Sequence, residues 1–493
     1  MTKVNKCGRG QKMRIDNMQN FYDILKGISE YSKASAFSWN EKDTLKKVSF
    51  EHFFDDVKTV MTMMKGIRDN VENVILLSQK NYLWFVYFFG IVCAGKNVIL
   101  LCNYDKAVEY NNLFQADLVI YDEKKGKQAK DIQKECPNMQ ACTMLETEFL
   151  TRKPADFVAG GRIIIYTSGT SCEKKPVILS QENFVYSVSK TLEEFSYWEK
   201  SRFVSFLPCD HVFDLVVSMY ALLIGSEQHI LKRLNAWNEC NDYKPDVVAM
   251  VPLMINELVS ANVQNGTLSF FKEIKVIVTG GAALDNTIHN MLVDSGYKIL
   301  QGYGCTECPI IAINCSESGL PANGGKRLRG SAIKVVDGQI YVKSQAVCMD
   351  YWGTLQVKKE EGWLNTQDLG YYDEKSENVY IMGRAKNCIV LSNGYNVCPE
   401  QIEQRLEACK YIKVAVIYQK KIKNKDFLYA DIYPTCPLLG GQERAEIEMW
   451  VQKINDTLPI YMKIQGYILK YDTCELNNMG KKTLVMRYRK NGK

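Results

Sequence analysis

Histidine is scarce in this chain: four in 493 residues, with no cluster among them. The one C-x-x-C, Cys305-Thr306-Glu307-Cys308, has no second pair to accompany it, so a zinc site is not expected there. The seventeen cysteines run singly from Cys7 to Cys474 and lack the spacing of a disulfide framework. They read as free, mostly buried thiols of a reducing, cytoplasmic setting. Long apolar runs are missing too. The most membrane-like stretch, Tyr82 to Gly95, stops at Lys96, short of the roughly 18 to 20 residues a spanning helix needs. It reads instead as a buried helix, a turn at Ala94-Gly95-Lys96 and a buried strand, NVILLC. The N-terminus, MTKVNKCGRGQKMRIDN, lacks the apolar core of a signal peptide. Neither internal repeats nor low-complexity segments interrupt the chain. A formal charge of +6 is modest for this length; it suits a protein that handles polyanions but does not indicate a nucleic-acid binder.

What is present is an ordinary globular mixture, 46% apolar and 24% charged, in a chain long enough for two or three domains. From about residue 160, short apolar runs end in Gly-, Pro- or Ser-rich turns and helix-like segments follow. Arg162 to Tyr166 reads as a buried strand before a loop and a helix near Glu182 to Phe195. VSFLP (204–208), DVVAMVP (246–252) and IKVIVTGG (274–281) repeat the pattern. Such runs alternating with helices predict an α/β fold of largely parallel, helix-covered sheets, with ligands at the carboxyl ends of the strands. Past about residue 383 the texture changes. A turn-rich segment, a helix, a hairpin (YIKVAVIYQKKIKNKDFLYADIYP), a helix near 442–456 and a basic tail predict a smaller α+β domain. The expected division is 1–383 and 384–493.

The segment YTSGTSCEKKPV (166–177) follows a predicted strand. Small hydroxyl residues around Gly169 let backbone N–H groups approach an anion, and Lys175 adds a point charge. It is not the G-x-x-x-x-G-K-[ST] pattern of a P-loop nucleotidase. Taken alone, such a loop is most often only a loop. Further along the chain come LPCDHVF (207–213), QGYGCTE (301–307), GWLNTQDLG (362–370), GRAKNCIVLSNGYNVCPEQIE (383–403) and NNMGKK (477–482). Together, in this order, they resemble the signatures of the adenylate-forming superfamily of acyl-CoA synthetases, luciferases and adenylation domains. The resemblance covers roughly residues 50 to 490.

That resemblance implies a large N-terminal AMP-binding domain and a small mobile lid turning about a hinge near Lys386. It implies ATP and Mg²⁺ as requirements and an acid substrate converted to acyl-adenylate, then passed to coenzyme A or to the phosphopantetheine of a carrier protein. Thr167, Ser168, Gly169, Thr170 and Lys175 would hold the triphosphate. Gly280, Gly281, Ala282, Gln301, Gly302 and Tyr303 would form the adenine slot, with Tyr303 packing on the base. Thr306 would contact the α-phosphate and Glu307 the magnesium ion, for which a carboxylate is a natural ligand. Asp368 and Arg384 would hold the ribose, His211 would gate the acyl pocket, and Lys481 would reach into the site during adenylation. The glycine-rich loop around Gly394 would line the thiol tunnel. An ionised carboxylate needs no general base, in keeping with so few histidines.

Departures from the family pattern concentrate in the phosphate loop. Cys172 and Pro176 replace glycines and Lys174 a proline, which demands a re-formed backbone. Gln181, Gln367, Asn387 and Asn477 also differ from common choices, but no charged catalytic position is lost. The HVF and IVLSNGYNV segments resemble those of fatty acyl-CoA synthetases, so a medium or long fatty acid is the expected substrate, with an aromatic acid left open. Asp214, in the pair Phe213-Asp214, is out of register with the aspartate that binds an amino group in amino-acid adenylation domains. Counting back from ALLIGS (221–226), Val212 takes that position, so an amino-acid substrate is not expected. A rival reading, resting on the altered loop, is a nucleotide-binding scaffold without catalysis. A transmembrane segment and a nucleic-acid partner are not expected.

Overall fold

The computed structural model describes residues 18–472 except 42–43, 68–70, 105–115, 137, 145–155, 168–174, 195–199, 232–235, 265–266, 269–272, 317–319, 322–323, 354–355, 358, 393–394, 424 and 437–439. Two large sheets dominate it, one of fourteen strands and one of seven. In the seven-stranded sheet, Asn73–Leu77 lies between Asn97–Leu101 and Leu118–Tyr121, all parallel. In the larger sheet, Arg202–Ser205, Val247–Met250, Val276–Gly280 and Lys298–Cys305 run parallel side by side.

The continuous apolar runs of these strands follow from burial on both faces. Val247 and Ala249 belong to one hydrophobic cluster, Val248 and Met250 to another. Val74 and Leu76 likewise share the first cluster, while Ile75 and Leu77 face a third. Successive side chains of a strand point to opposite faces, so each strand feeds two cores. The first cluster takes residues from both sheets and from the helices Phe21–Ser29, Phe50–Gly66, Tyr82–Cys93 and Val212–Leu223. It is therefore the shared layer between the sheets.

The stretch at 82–95 folds as its composition requires. Asn81 caps the helix Tyr82–Cys93 by accepting from Trp84 N at 2.8 Å. Gly95 turns the chain at φ +79° into the buried strand Asn97–Leu101. Among the described residues, no helix is long and apolar enough to cross a membrane. The fourteen described cysteines are all free, and nine are buried, so most act as small apolar side chains.

One part of the architecture differs from the pattern read in the sequence. Beyond Lys298–Cys305 the large sheet continues through antiparallel strands, from Cys308–Cys315 to Asn378–Arg384 and outward to Ala332–Val336. The cause is the connection. Thr306 and Glu307 alone join Cys305 to Cys308, and a two-residue link can reverse a strand but cannot cross over to a parallel one.

After Arg384 the chain builds a separate core, from Ile389 to Ile464. Its frame is the hairpin Ile412–Ile422 and Lys425–Pro434, with Ile464–Leu469 added in parallel. The helices Pro399–Glu407 and Gly441–Thr457 pack on it through Ile402, Leu406, Ile447 and Val451.

Candidate active site

A cleft of about 700 Å³ opens at the carboxyl ends of Val276–Gly280 and Lys298–Cys305 and extends to the C-terminal core. Its floor depends on glycine. A Cβ on Gly280 would come within 2.9 Å of the Gly302 carbonyl and 3.2 Å of the Phe213 ring, and Gly281 turns at φ +82°. Gln301 is buried beside them; its Nε2 donates to Ala282 O at 3.5 Å, and its Oε1 has no partner among the described residues. Gly281, Ala282, Gln301, Gly302 and Tyr303 all line this part of the cleft.

The Tyr303 hydroxyl is tied from below. It donates to Asp368 Oδ2 at 2.8 Å and lies 3.3 Å from Thr366 Oγ1. Burial first, and the nearby Asp368 carboxylate next, push its pKa far up, so it stays a neutral donor. Asp368 faces Arg384 in the register of the strands Trp363–Asp373 and Asn378–Arg384. Arg384 Nε donates to Asp368 Oδ1 at 2.8 Å, and Nη1 to Thr366 O at 3.1 Å. Gln367, one residue before this carboxylate, holds φ +59°, a conformation that suits the glycine common in related motifs.

The charged side of the cleft comes from three separate segments. Thr167 and Lys175 bracket residues 168–174: Thr167 N donates to Lys175 O at 2.8 Å, and Lys175 N donates to Thr167 Oγ1 at 3.1 Å. Ser168, Gly169 and Thr170 lie outside the described residues, as do Gly394 and Lys481. Glu307 sits in the tight turn with buried Thr306, and its Oε1 accepts from the Tyr351 hydroxyl at 2.8 Å. Lys386 follows Arg384 in the short helical turn Ala385–Asn387 and lines the same cleft. Burial lowers its pKa, and the neighbouring Arg384 and Lys175 charges lower it further, against the pull of Glu307 and Asp368. Asn387 Nδ2 anchors the turn to Glu400 Oε1 at 2.5 Å.

His211 caps the helix Val212–Leu223 with a buried ring; its Nδ1 accepts from Phe213 N at 3.2 Å. His211, Val212 and Phe213 line the cleft together with Pro252 and Leu253. Asp214 does not. It is fully buried, paired with Lys80 Nζ at 2.5 Å and accepting from Ser205 Oγ at 2.5 Å. Its work is inside the fold.

The donor set suits a magnesium nucleotide and not a resident metal cage. Among the described residues no group of three or more His, Cys, Asp or Glu could hold a metal. Mg²⁺ typically takes one or two carboxylates and completes its shell with phosphate oxygens and water, which a single cleft carboxylate such as Glu307 allows. Two polar groups of this site carried no signal in the sequence. Thr366 lies inside a family signature without standing out in it, and Tyr351, in the segment CMDYWG, belongs to none of the signatures.

Known proteins resemble this chain in sequence and in fold. The model of the AMP-binding enzyme family matches residues 28–352. The chain is 26% identical over 273 residues to 2-succinylbenzoate–CoA ligase of Enterococcus faecalis, covering 52% of this chain and 55% of that ligase. It thus spans about half the length of that relative. It is 22% identical over 401 residues to the same-named ligase of Listeria innocua, covering 77% of this chain and 82% of the other. Against 4-coumarate–CoA ligase of Pinus taeda the identity is 26%, over 54% of each chain. In fold, the structure is similar to anthranilate CoA ligase AuaEII in complex with anthranoyl-AMP, with a TM-score of 0.82 at 17% identity, covering 96% of this chain and 98% of the other. It is also similar to o-succinylbenzoate coenzyme A synthetase of Bacillus subtilis in complex with ATP and magnesium, with a TM-score of 0.72 at 19% identity, covering 93% and 98%. With its family model matched across most of the chain, the protein belongs to the AMP-binding enzyme family, within the adenylate-forming superfamily.

Proposed function

We propose that the chain is an AMP-forming acid–CoA ligase. It joins a carboxylic acid to ATP as an acyl-adenylate, releases pyrophosphate, and passes the acyl group to the thiol of coenzyme A as AMP leaves. The observation that carries this reading is the convergence of Lys175, Glu307, Asp368, Arg384 and Lys386 on one cleft, from segments that span more than 200 residues of chain.

The chemistry follows from charge. A carboxylate attacking the α-phosphorus brings two anions together, so the barrier falls where positive charge meets the developing negative charge. Lys175 and Lys386 supply such charge from separate segments, and Thr306 offers a hydroxyl in the turn beside Glu307. When bound, Mg²⁺ on Glu307 would neutralise phosphate oxygens as a Lewis acid. Asp368 accepts hydrogen bonds from the ribose hydroxyls, and Gly280 to Ala282 with Tyr303 enclose the adenine. Gln301 Oε1, buried without a partner among the described residues, is an acceptor for a donor from the bound nucleotide. In this proposal the chain divides at 383/384, the small domain turns about Lys386, and Lys481 enters during adenylation. The Gly394 loop takes its place for thiol transfer.

For the acid, we propose an aryl carboxylate ahead of a fatty acid. The relatives named for 2-succinylbenzoate and 4-coumarate, and the anthranilate-linked structure, support the aryl reading. The wall of Val212, Phe213, Pro252 and Leu253 is apolar enough for either class. The fatty-acid reading rests on the HVF and IVLSNGYNV segments alone. Coenzyme A is the proposed acceptor because the relatives are CoA ligases by name; none of the similar proteins named above points to a carrier protein.

The test is acid-dependent pyrophosphate release from ATP and Mg²⁺. The panel holds benzoate, 2-succinylbenzoate, 4-coumarate, anthranilate, octanoate and palmitate, with Lys481→Ala run beside the native chain. Release with one acid class, lost in the variant, is the expected result. ATP binding with no release for any acid would leave the scaffold reading in its place.

A further inference from the structure

The segment 348–352 lies outside the signatures quoted above, yet it is stitched to both charged arms of the cleft. Cys348 N donates to Glu307 O at 2.7 Å, and the Tyr351 hydroxyl donates to Glu307 Oε1 at 2.8 Å. On the other side, Met349 N donates to Ile178 O at 2.9 Å and Trp352 N to Pro176 O at 2.7 Å. The short strand Asp350–Tyr351 thereby pairs antiparallel with the strand Pro176–Ser180 that leaves the phosphate loop. Lys175 Nζ sits over the Tyr351 ring, 5.2 Å from its centroid. A single side chain thus touches the lysine at one end of the site and the carboxylate at the other.

We propose that Tyr351 is a positioning residue of this site: its hydroxyl fixes the Glu307 carboxylate for the magnesium nucleotide while its ring seats the Lys175 ammonium. This rests on the reading of Glu307 as the magnesium carboxylate. With Oε1 engaged by the hydroxyl, the carboxylate keeps one rotamer and leaves Oε2 for a cation or its water. Hydrogen-bonded partners of metal-binding carboxylates set the orientation of the ligand and, with it, metal affinity. The ring under Lys175 adds a cation–π contact that holds a flexible ammonium in place.

The same segment also holds the residue that leaves the phosphate loop. The phosphate loop lacks its usual glycines at Cys172 and Pro176. Pro176 cannot donate a backbone hydrogen bond, but its carbonyl accepts from Trp352, so the exit of the loop is fixed from the 348–352 segment. Pro176 is thus tied to a segment about 175 residues downstream.

The experiment compares the native protein with Tyr351→Phe, Tyr351→Leu and Glu307→Gln. Two readouts are taken across a Mg²⁺ titration: the rise in melting temperature caused by ATP, and acid-dependent pyrophosphate release. Tyr351→Phe keeps the ring and loses the hydroxyl. It is expected to raise the half-saturating Mg²⁺ concentration roughly tenfold in both readouts, with the KM for the acid unchanged. Tyr351→Leu is expected to show the same Mg²⁺ shift plus a further fall in kcat, because Lys175 loses its seat. Glu307→Gln separates the two ideas. If it raises the Mg²⁺ requirement while Tyr351→Phe matches the native chain, the role of Tyr351 is refuted and that of Glu307 stands. If Glu307→Gln leaves the Mg²⁺ requirement unchanged, the metal reading fails and the positioning role fails with it. A fall in kcat at unchanged Mg²⁺ dependence in both tyrosine variants would reduce Tyr351 to packing and overturn the proposal.

Discussion

Replacing Asp368 by asparagine tests the nucleotide site at its most connected residue. The carboxylate is 4% exposed and accepts from Arg384 Nε and the Tyr303 hydroxyl, each at 2.8 Å. Asparagine keeps the size and one acceptor oxygen but removes the charge. In the proposed complex the ribose hydroxyls compete with Arg384 and Tyr303 for the same two oxygens, so the net gain on binding is about one charge-assisted hydrogen bond. Such a bond contributes roughly 1.5–3 kcal/mol, or about 10- to 150-fold in affinity. Asp368→Asn should therefore raise the KM for ATP by about that factor with a smaller effect on kcat. The sharper assay is the ratio of kcat/KM for ATP to that for 2′-deoxyATP and 3′-deoxyATP. The native chain should discriminate against at least one deoxy analogue, and the variant should lose that discrimination. An unchanged ratio, or a KM for ATP within twofold of native, would refute the placement of the ribose at Asp368. A Tyr303→Phe control removes one competitor for the carboxylate and should leave the discrimination intact.

Lys80→Met strands the fully buried Asp214 with the Ser205 hydroxyl still donating to it, and breaking a buried pair in this way costs about 3–5 kcal/mol. Burial raises the folded Asp214 pKa above its unfolded value, so the native state holds the proton more tightly. The stability tied to that proton is complete below the unfolded value of about 3.9 and is lost as pH rises through the folded one. Lys80 opposes the rise, so denaturant melts of Lys80→Met should show a deficit that grows as pH climbs from about 4 and shrinks toward acid. Gln367→Gly relieves a left-handed backbone at φ +59° and should stabilise the fold by about 0.5–1 kcal/mol, read as a higher Tm. Gly304→Ala places a Cβ 2.2 Å from the Pro309 carbonyl, a backbone atom that cannot move aside. Overpacking of this kind costs at least about 1–3 kcal/mol, so the variant should show a lower Tm and weaker ATP binding together.

Much of this protein is written locally. NVILL, VVAM and VIVTG are apolar on nearly every residue because strands buried on both faces must be, and a helix-covered sheet can therefore be placed from the sequence. The helix Tyr82–Cys93, its glycine turn and the following strand are equally legible, since an all-apolar run that stops at Lys96 has few other ways to fold. Signature residues such as Gly281, Gln301, Tyr303, Glu307, Asp368 and Arg384 stand out because each sits in a short, ordered pattern, and the fold brings them to one cleft. The tertiary structure alone decided how they are held. That Arg384 pairs with Asp368 is a matter of strand register, and that Asp214 turns inward to Lys80 depends on a contact 134 residues away. Tyr351 is the plainest case. No local pattern marks it, because its importance comes from lying between Lys175 and Glu307, and only the packing of three distant segments creates that position. Periodicity and motif report what a residue does to its own neighbourhood in the chain; partners across the fold are set by topology, which no short stretch of sequence contains.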